Sequence, residues 1–167
     1  MTLQLQALEA RARERTRPFR HLFGYEPHFL DVQGRALHYV DEGQVNEGGP
    51  GPILCVHGNP TWSFYWRAVV DGFKDQTRVV VPDHLGMGLS DRVPGGTRLA
   101  EHVAALVALM DELDLRDVTL VVHDWGGAIG FGAALARPDR VSRFVVTNTA
   151  AFPSSRIPRR IALCRVP

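Results

Sequence analysis

The sequence predicts an α/β fold with a mostly parallel sheet. Three observations carry that reading. Short, continuous apolar runs recur along the chain, as expected for strands buried on both faces. Each run stops at a polar cluster. Segments with helical periodicity, or rich in Gly and Ala, separate the later runs, so strand and helix alternate. The 167 residues suffice for one domain, at about 100–200 residues per domain. The composition, 45% hydrophobic and 22% charged, excludes a disordered chain or a disulfide-stapled miniprotein.

Each element has its own signal. Over residues 2–20, Leu5, Leu8 and Ala12 recur at helical spacing with arginines on the other face. This reads as a short amphipathic helix or, preferentially, a solvated arm, and Pro18 ends any helix there. Residues 29–32 and 37–40 read as a hairpin turning at Gly34,. Residues 46–52 form a Gly/Pro-rich turn, and the apolar run 53–56 is a buried strand. Residues 78–81 are the next strand. Leu99, Val103, Leu106, Met110 and Leu113 keep a helical period behind an expected N-cap at Thr97,. A strand over 118–122, a Gly/Ala-rich helix over 126–136 and a strand over 144–146 complete the pattern. The expected organisation is an N-terminal arm (1–24), a core (25–150) and a different, basic segment (151–167). That last segment holds Arg156, Arg159, Arg160, Arg165 and no acid.

Charge and cysteine usage narrow the function classes. The net charge of +1 makes no global case for nucleic acid or an anionic membrane. No apolar run approaches the ~20 residues of a transmembrane helix. The five arginines of the first twenty residues precede no apolar core of signal-peptide length. Cys55 and Cys164 suit free thiols in a reducing compartment. The expected location is the cytoplasm.

In a parallel sheet, sites gather at the carboxyl ends of strands. The polar clusters there are His57-Gly58-Asn59-Pro60, Asp83-His84, His123-Asp124-Trp125-Gly126-Gly127 and Thr147-Asn148-Thr149. A buried strand running into H-D-W-G-G and then a helix has the pattern of a nucleophile elbow, with Asp124 at its centre. A carboxylate, with an ordinary pKa of about 3.9, is ionised at neutral pH and needs no base to attack. It can form an ester at an sp3 carbon, which water then hydrolyses with help from a general base. Asn59 and Trp125 offer N–H donors for the leaving anion, and turn amides offer an oxyanion hole. A turn Asn before Pro60 and a packing Trp are the competing readings.

Three motifs in this order, HGNPTWSFYWR (57–67), DHLGMGLSD (83–91) and VVHDWGG (121–127), strongly resemble the haloalkane dehalogenase family of α/β-hydrolases. The resemblance runs from about Tyr25 to the end of the chain. It implies an α/β-hydrolase fold with Asp124 as nucleophile. Asn59 and Trp125 would be the halide-binding pair, and their backbone amides the oxyanion hole. It implies a small organic substrate and neither cofactor nor metal, with the 83–91 stretch a structural turn. Some members place the catalytic acid as Glu near residues 147–153, where this chain has no acid. It looks more like the subgroup whose acid follows the next strand, which includes enzymes similar to β-lactone decarboxylases of olefin biosynthesis. Family members are much longer. They insert a helical cap after the strand 144–146 and return for two strands that bring the catalytic acid and His. No His follows His123 here. The resemblance thus implies an N-terminal portion, truncated before the cap and last strands, in which 151–167 begins the cap and the catalytic set is incomplete. The strand 144–146 would then be an open apolar edge.

Four other readings compete. A metal-dependent hydrolase would use His57, His84, His123, Asp83 and Asp124, but none has helix-borne zinc spacing. An epoxide hydrolase shares the Asp elbow but usually has an aromatic where Asn59 stands. An inactive fragment, or half-protein completed by a partner chain, is the third. A dinucleotide site fails because Gly126-Gly127 lacks the full glycine spacing. Oligomeric state is left open.

Overall fold

The computed structural model describes residues 3–150. The segment 151–167, with its expected role as the start of a cap, lies outside the described residues.

Among the described residues, six strands form one sheet: β1 (His28–Val32), β2 (Arg35–Glu42), β3 (Ile53–Val56), β4 (Val79–Pro82), β5 (Val118–His123) and β6 (Val141–Thr147). Their order across the sheet is β1-β2-β4-β3-β5-β6. β2 is antiparallel to both β1 and β4, and the remaining pairs are parallel. The hairpin turns on Gln33 and Gly34, at φ 55° and 80°. Positive φ at both central residues is what a two-residue turn of matching twist requires. The Gly34 amide donates to Asp31 Oδ1 at 2.7 Å.

Helices α1 (Leu3–Thr16), α2 (Arg67–Phe73), α3 (Leu99–Glu112) and α4 (Trp125–Ala136) complete the structure. α3 and α4 cover one face. Leu106, Leu109, Met110, Ile129 and Ala133 pack on Leu54, Val56, Val80, Leu120 and Val122. On the other face Phe23, Trp66 and Val70 pack on Ile53, Cys55, Val79, Val81 and Val121. The central strands alternate between two dry interfaces, so every residue of β3 and β4 is buried. That is why these strands read as unbroken apolar runs.

Three local expectations need correction. The N-terminal segment is helix α1, not a solvated arm. Ala12 is 3% exposed against Phe29 and Ala36, with Leu5 and Leu8 beside it. A small residue at the contact lets the helix lie close to the hairpin. α3 is entered from Arg98 rather than Thr97. Glu101 accepts from the Arg98 amide at 2.8 Å, while the Thr97 hydroxyl donates to the Leu85 carbonyl. α2 went unread because its seven residues are too few for periodicity to show.

Among the described residues, β6 is the last strand of the sheet, and Phe144, Val145 and Val146 are each about half exposed. No helix among the described residues is long and apolar enough to cross a membrane.

Candidate active site

The site is built where β3 and β5 end side by side. These neighbours are in register, Val56 opposite Val122, so the turns that follow them meet. Asp124 sits between β5 and α4 at φ 52°, ψ −128°. A non-glycine residue there carries roughly 1–3 kcal/mol of strain and persists only where its surroundings over-determine it. They do. The Asp124 amide donates to the Asn148 carbonyl at 3.3 Å, and its carbonyl accepts from the Gly127 amide at 3.0 Å and the Thr149 hydroxyl at 2.5 Å. Close approach fixes the neighbours too. A Cβ on Gly58 would strike the Asp124 side chain, and one on Gly126 would strike the carbonyl oxygens of Val56 and His57.

The Asp124 carboxylate is partly buried. Its Oδ1 accepts the Asn59 amide at 2.8 Å. Among the described residues, Oδ2 accepts no hydrogen bond. Trp125, the first residue of α4, is 51% exposed, and Asn59 is exposed. The expected trio therefore lies on two adjoining turns, with the Trp125 ring outside the core.

A second layer holds the Asn59 turn. His57 Nδ1 donates to the Gly58 carbonyl at 2.8 Å, and Nε2 accepts the His84 amide at 3.1 Å. This tautomer follows from the amide, which can only donate. His84 Nε2 in turn donates to the His57 carbonyl at 2.8 Å. Burial lowers the His57 pKa, and burial followed by the nearby His57 takes His84 well below its ordinary value. Both rings are neutral, and both His57 nitrogens are committed.

Asp83, at the end of β4, anchors this layer. Its carboxylate accepts the amides of Ser63 (2.6 Å) and Leu89 (2.8 Å) and His38 Nδ1 (2.9 Å). Burial pushes its carboxyl up, but His38 and the Leu89 amide outweigh that and hold it at about 2. The 83–91 stretch thus has the structural role expected of it. Among the described residues, no three His, Cys, Asp or Glu side chains gather to hold a metal ion.

Two residues of the site region were not singled out in the sequence. Tyr65, 43% exposed, stacks on His123 at 4.8 Å between ring centres. His38 supplies the partner to Asp83 from β2. Tyr65 had a signal, the aromatic run over 62–66. His38 had none, because its partner lies 45 residues away.

Comparison with known proteins agrees with this geometry. The model of the alpha/beta hydrolase fold family matches residues 51–163. A cis-3-alkyl-4-alkyloxetan-2-one decarboxylase of Shewanella oneidensis is 43% identical over 151 residues, covering 86% of this chain and 46% of that protein. Haloalkane dehalogenase 2 of Mycobacterium tuberculosis is 40% identical over 141 residues, covering 84% and 48%. Among solved structures, the tetrameric haloalkane dehalogenase DpaA of Paraglaciecola agarilytica superposes with a TM-score of 0.76 at 30% identity, covering 87% and 52%. The chain spans about half the length of the curated relatives it matches. An Asp elbow between β5 and α4, a mostly parallel sheet and the matched family model lead to one assignment: the chain belongs to the alpha/beta hydrolase fold family.

Proposed function

We propose that the chain carries the nucleophile of a haloalkane dehalogenase-type hydrolase acting on small organic substrates. The observation that carries this is the Asp124 carboxylate, held on a strained elbow with one oxygen hydrogen-bonded and the other uncommitted among the described residues. An Asp124 oxygen attacks an sp3 carbon. A C–O bond forms, the carbon–halogen bond breaks, and halide leaves with the electron pair. The Asn59 side-chain amide and the Trp125 indole N–H donate to that anion. Water then adds to the ester, with the backbone amides of Asn59 and Trp125 as oxyanion hole, and releases an alcohol. Ester hydrolysis takes a general base. His57 cannot serve, because both its nitrogens are engaged. The alkylation step is the one these residues support.

A second reading is a β-lactone decarboxylase-like enzyme. It is favoured by relatives of that name at 43% and 42% identity and by the lack of an acid over residues 147–153. The same carboxylate would open a cis-3,4-dialkyl oxetan-2-one at its oxygen-bearing sp3 carbon, with the ring carboxylate as leaving group.

Peptide mass spectrometry separates the two. The folded chain is incubated with an iodoalkane or with the lactone, then digested. Iodide release and an alkyl ester on the Asp124 peptide, absent in Asp124→Asn, support the dehalogenase reading. An adduct only with the lactone supports the second. A folded, unmodified protein with both reagents overturns the Asp124 assignment.

A further inference from the structure

A cavity of about 290 Å³ lies between α1 and the loop after β4, away from the Asp124 elbow in sequence and in lining residues. Leu8 and Phe29 contribute to its wall, and Arg11, Arg15 and Arg92 ring it with Asp91. The two acids of α1 are engaged elsewhere: Glu9 lies 3.8 Å from Arg13, and Glu14 lies 3.0 Å from Arg17. Arg13 also pairs with Glu26 at 2.7 Å. Among the described residues, Arg11, Arg15 and Arg92 pair with no acid. Asp91 accepts the Ala36 amide through Oδ2 at 2.8 Å.

This arrangement breaks a local rule. Arg11 and Arg15 stand four residues apart on one helix face, where like charges destabilise a helix. Arg92 adds a third guanidinium to the same concavity. Three cations against one carboxylate leave a local excess of two positive charges. Such departures from local consistency are expected at functional sites. Guanidinium is the group suited to planar, two-pronged recognition of phosphate oxygens.

We propose that this cavity binds a small phosphoryl dianion, a phosphate ester or diphosphate, clasped by Arg11, Arg15 and Arg92. A volume at the low end of ligand pockets suits a compact anion rather than a dinucleotide. Docking would tie α1 to the 86–92 loop, adding to the Leu5, Leu8 and Ala12 packing and the Arg13–Glu26 pair that already hold the helix.

The test is calorimetric titration of the 167-residue chain with sodium pyrophosphate, with sodium chloride at matched ionic strength as the screening control. The expected result is saturable binding. It falls at least tenfold in an Arg11→Gln, Arg15→Gln, Arg92→Gln variant and stays unchanged in Arg116→Gln, an exposed arginine elsewhere. All four arginines are exposed, so circular dichroism should match across the variants. No saturable heat, equal binding by the triple variant, or reproduction of the signal by chloride overturns the proposal. None of these readouts depends on Asp124 chemistry.

Discussion

Asp83 and Asp124 occupy equivalent places, each just past the carboxyl end of a buried parallel strand, yet their carboxylates are held in opposite ways. Asp83 is fully buried, and its two oxygens accept three hydrogen bonds, from Ser63, Leu89 and His38. Asp124 is partly exposed and accepts one, from Asn59. The backbone differs in the opposite sense, since Asp124 has the strained φ of 52°. A buried carboxylate with both oxygens engaged stabilises the fold and lies out of a substrate's reach. An under-satisfied one on a strained turn contributes little to stability and keeps an oxygen free among the described residues. The same position, after the two strands that flank β3, is thus sealed in one case and left open in the other.

Removing Asp83 should give the largest effect. Asp83→Ala leaves His38 and the amides of Ser63 and Leu89 without their acceptor. Breaking a buried pair from one side costs about 3–5 kcal/mol, so the urea midpoint should collapse. A loss below about 1 kcal/mol would mean that the comparison misassigns Asp83. The turn glycine comes next. Gly126→Ala drives a Cβ into the Val56 and His57 carbonyls, and such overpacking costs about 1–3 kcal/mol. Thermal denaturation of the purified variant reads it directly.

Acidification sharpens the same contrast. His57 and His84 have folded-state pKa values below their ordinary 6.5. Below pH 6.5 the unfolded chain therefore binds more protons than the folded one, and stability falls as pH falls. The contribution of Asp83, held at about 2 against an ordinary 3.8, is complete above 3.8 and is lost between 3.8 and 2. The urea midpoint should decline from pH 7 to 5 and more steeply below pH 4. A flat profile from 7 to 5 would contradict the neutral, buried histidines. Asp124→Asn should have the smallest stability effect, within about 0.5 kcal/mol, since Asn tolerates positive φ. It should nevertheless abolish the alkyl adduct. A variant that still accepts the alkyl group would place the nucleophile elsewhere.

Much of this molecule was legible in its residues. The largely apolar runs at 53–56, 78–81 and 118–122 announce strands covered on both faces, because a half-solvated strand would alternate. H-D-W-G-G after such a run announces an elbow, because only glycine lets helix and neighbouring turn approach so closely. Asp124, Asn59 and Trp125 stood out for the same reason: strand ends are where a parallel sheet exposes polar groups. Other features were decided only in three dimensions. α1 is a docked helix because Ala12 meets Phe29 and Ala36, a contact with no trace in the charge pattern of residues 2–20. The His38–Asp83 pair joins residues 45 apart, and the His57 tautomer is set by the amide of His84 across two strand ends. Local sequence determines which segments become strands and helices, because periodicity and glycine act within a few residues. Which carboxylate is sealed and which is left open depends on partners that only the packed sheet brings together.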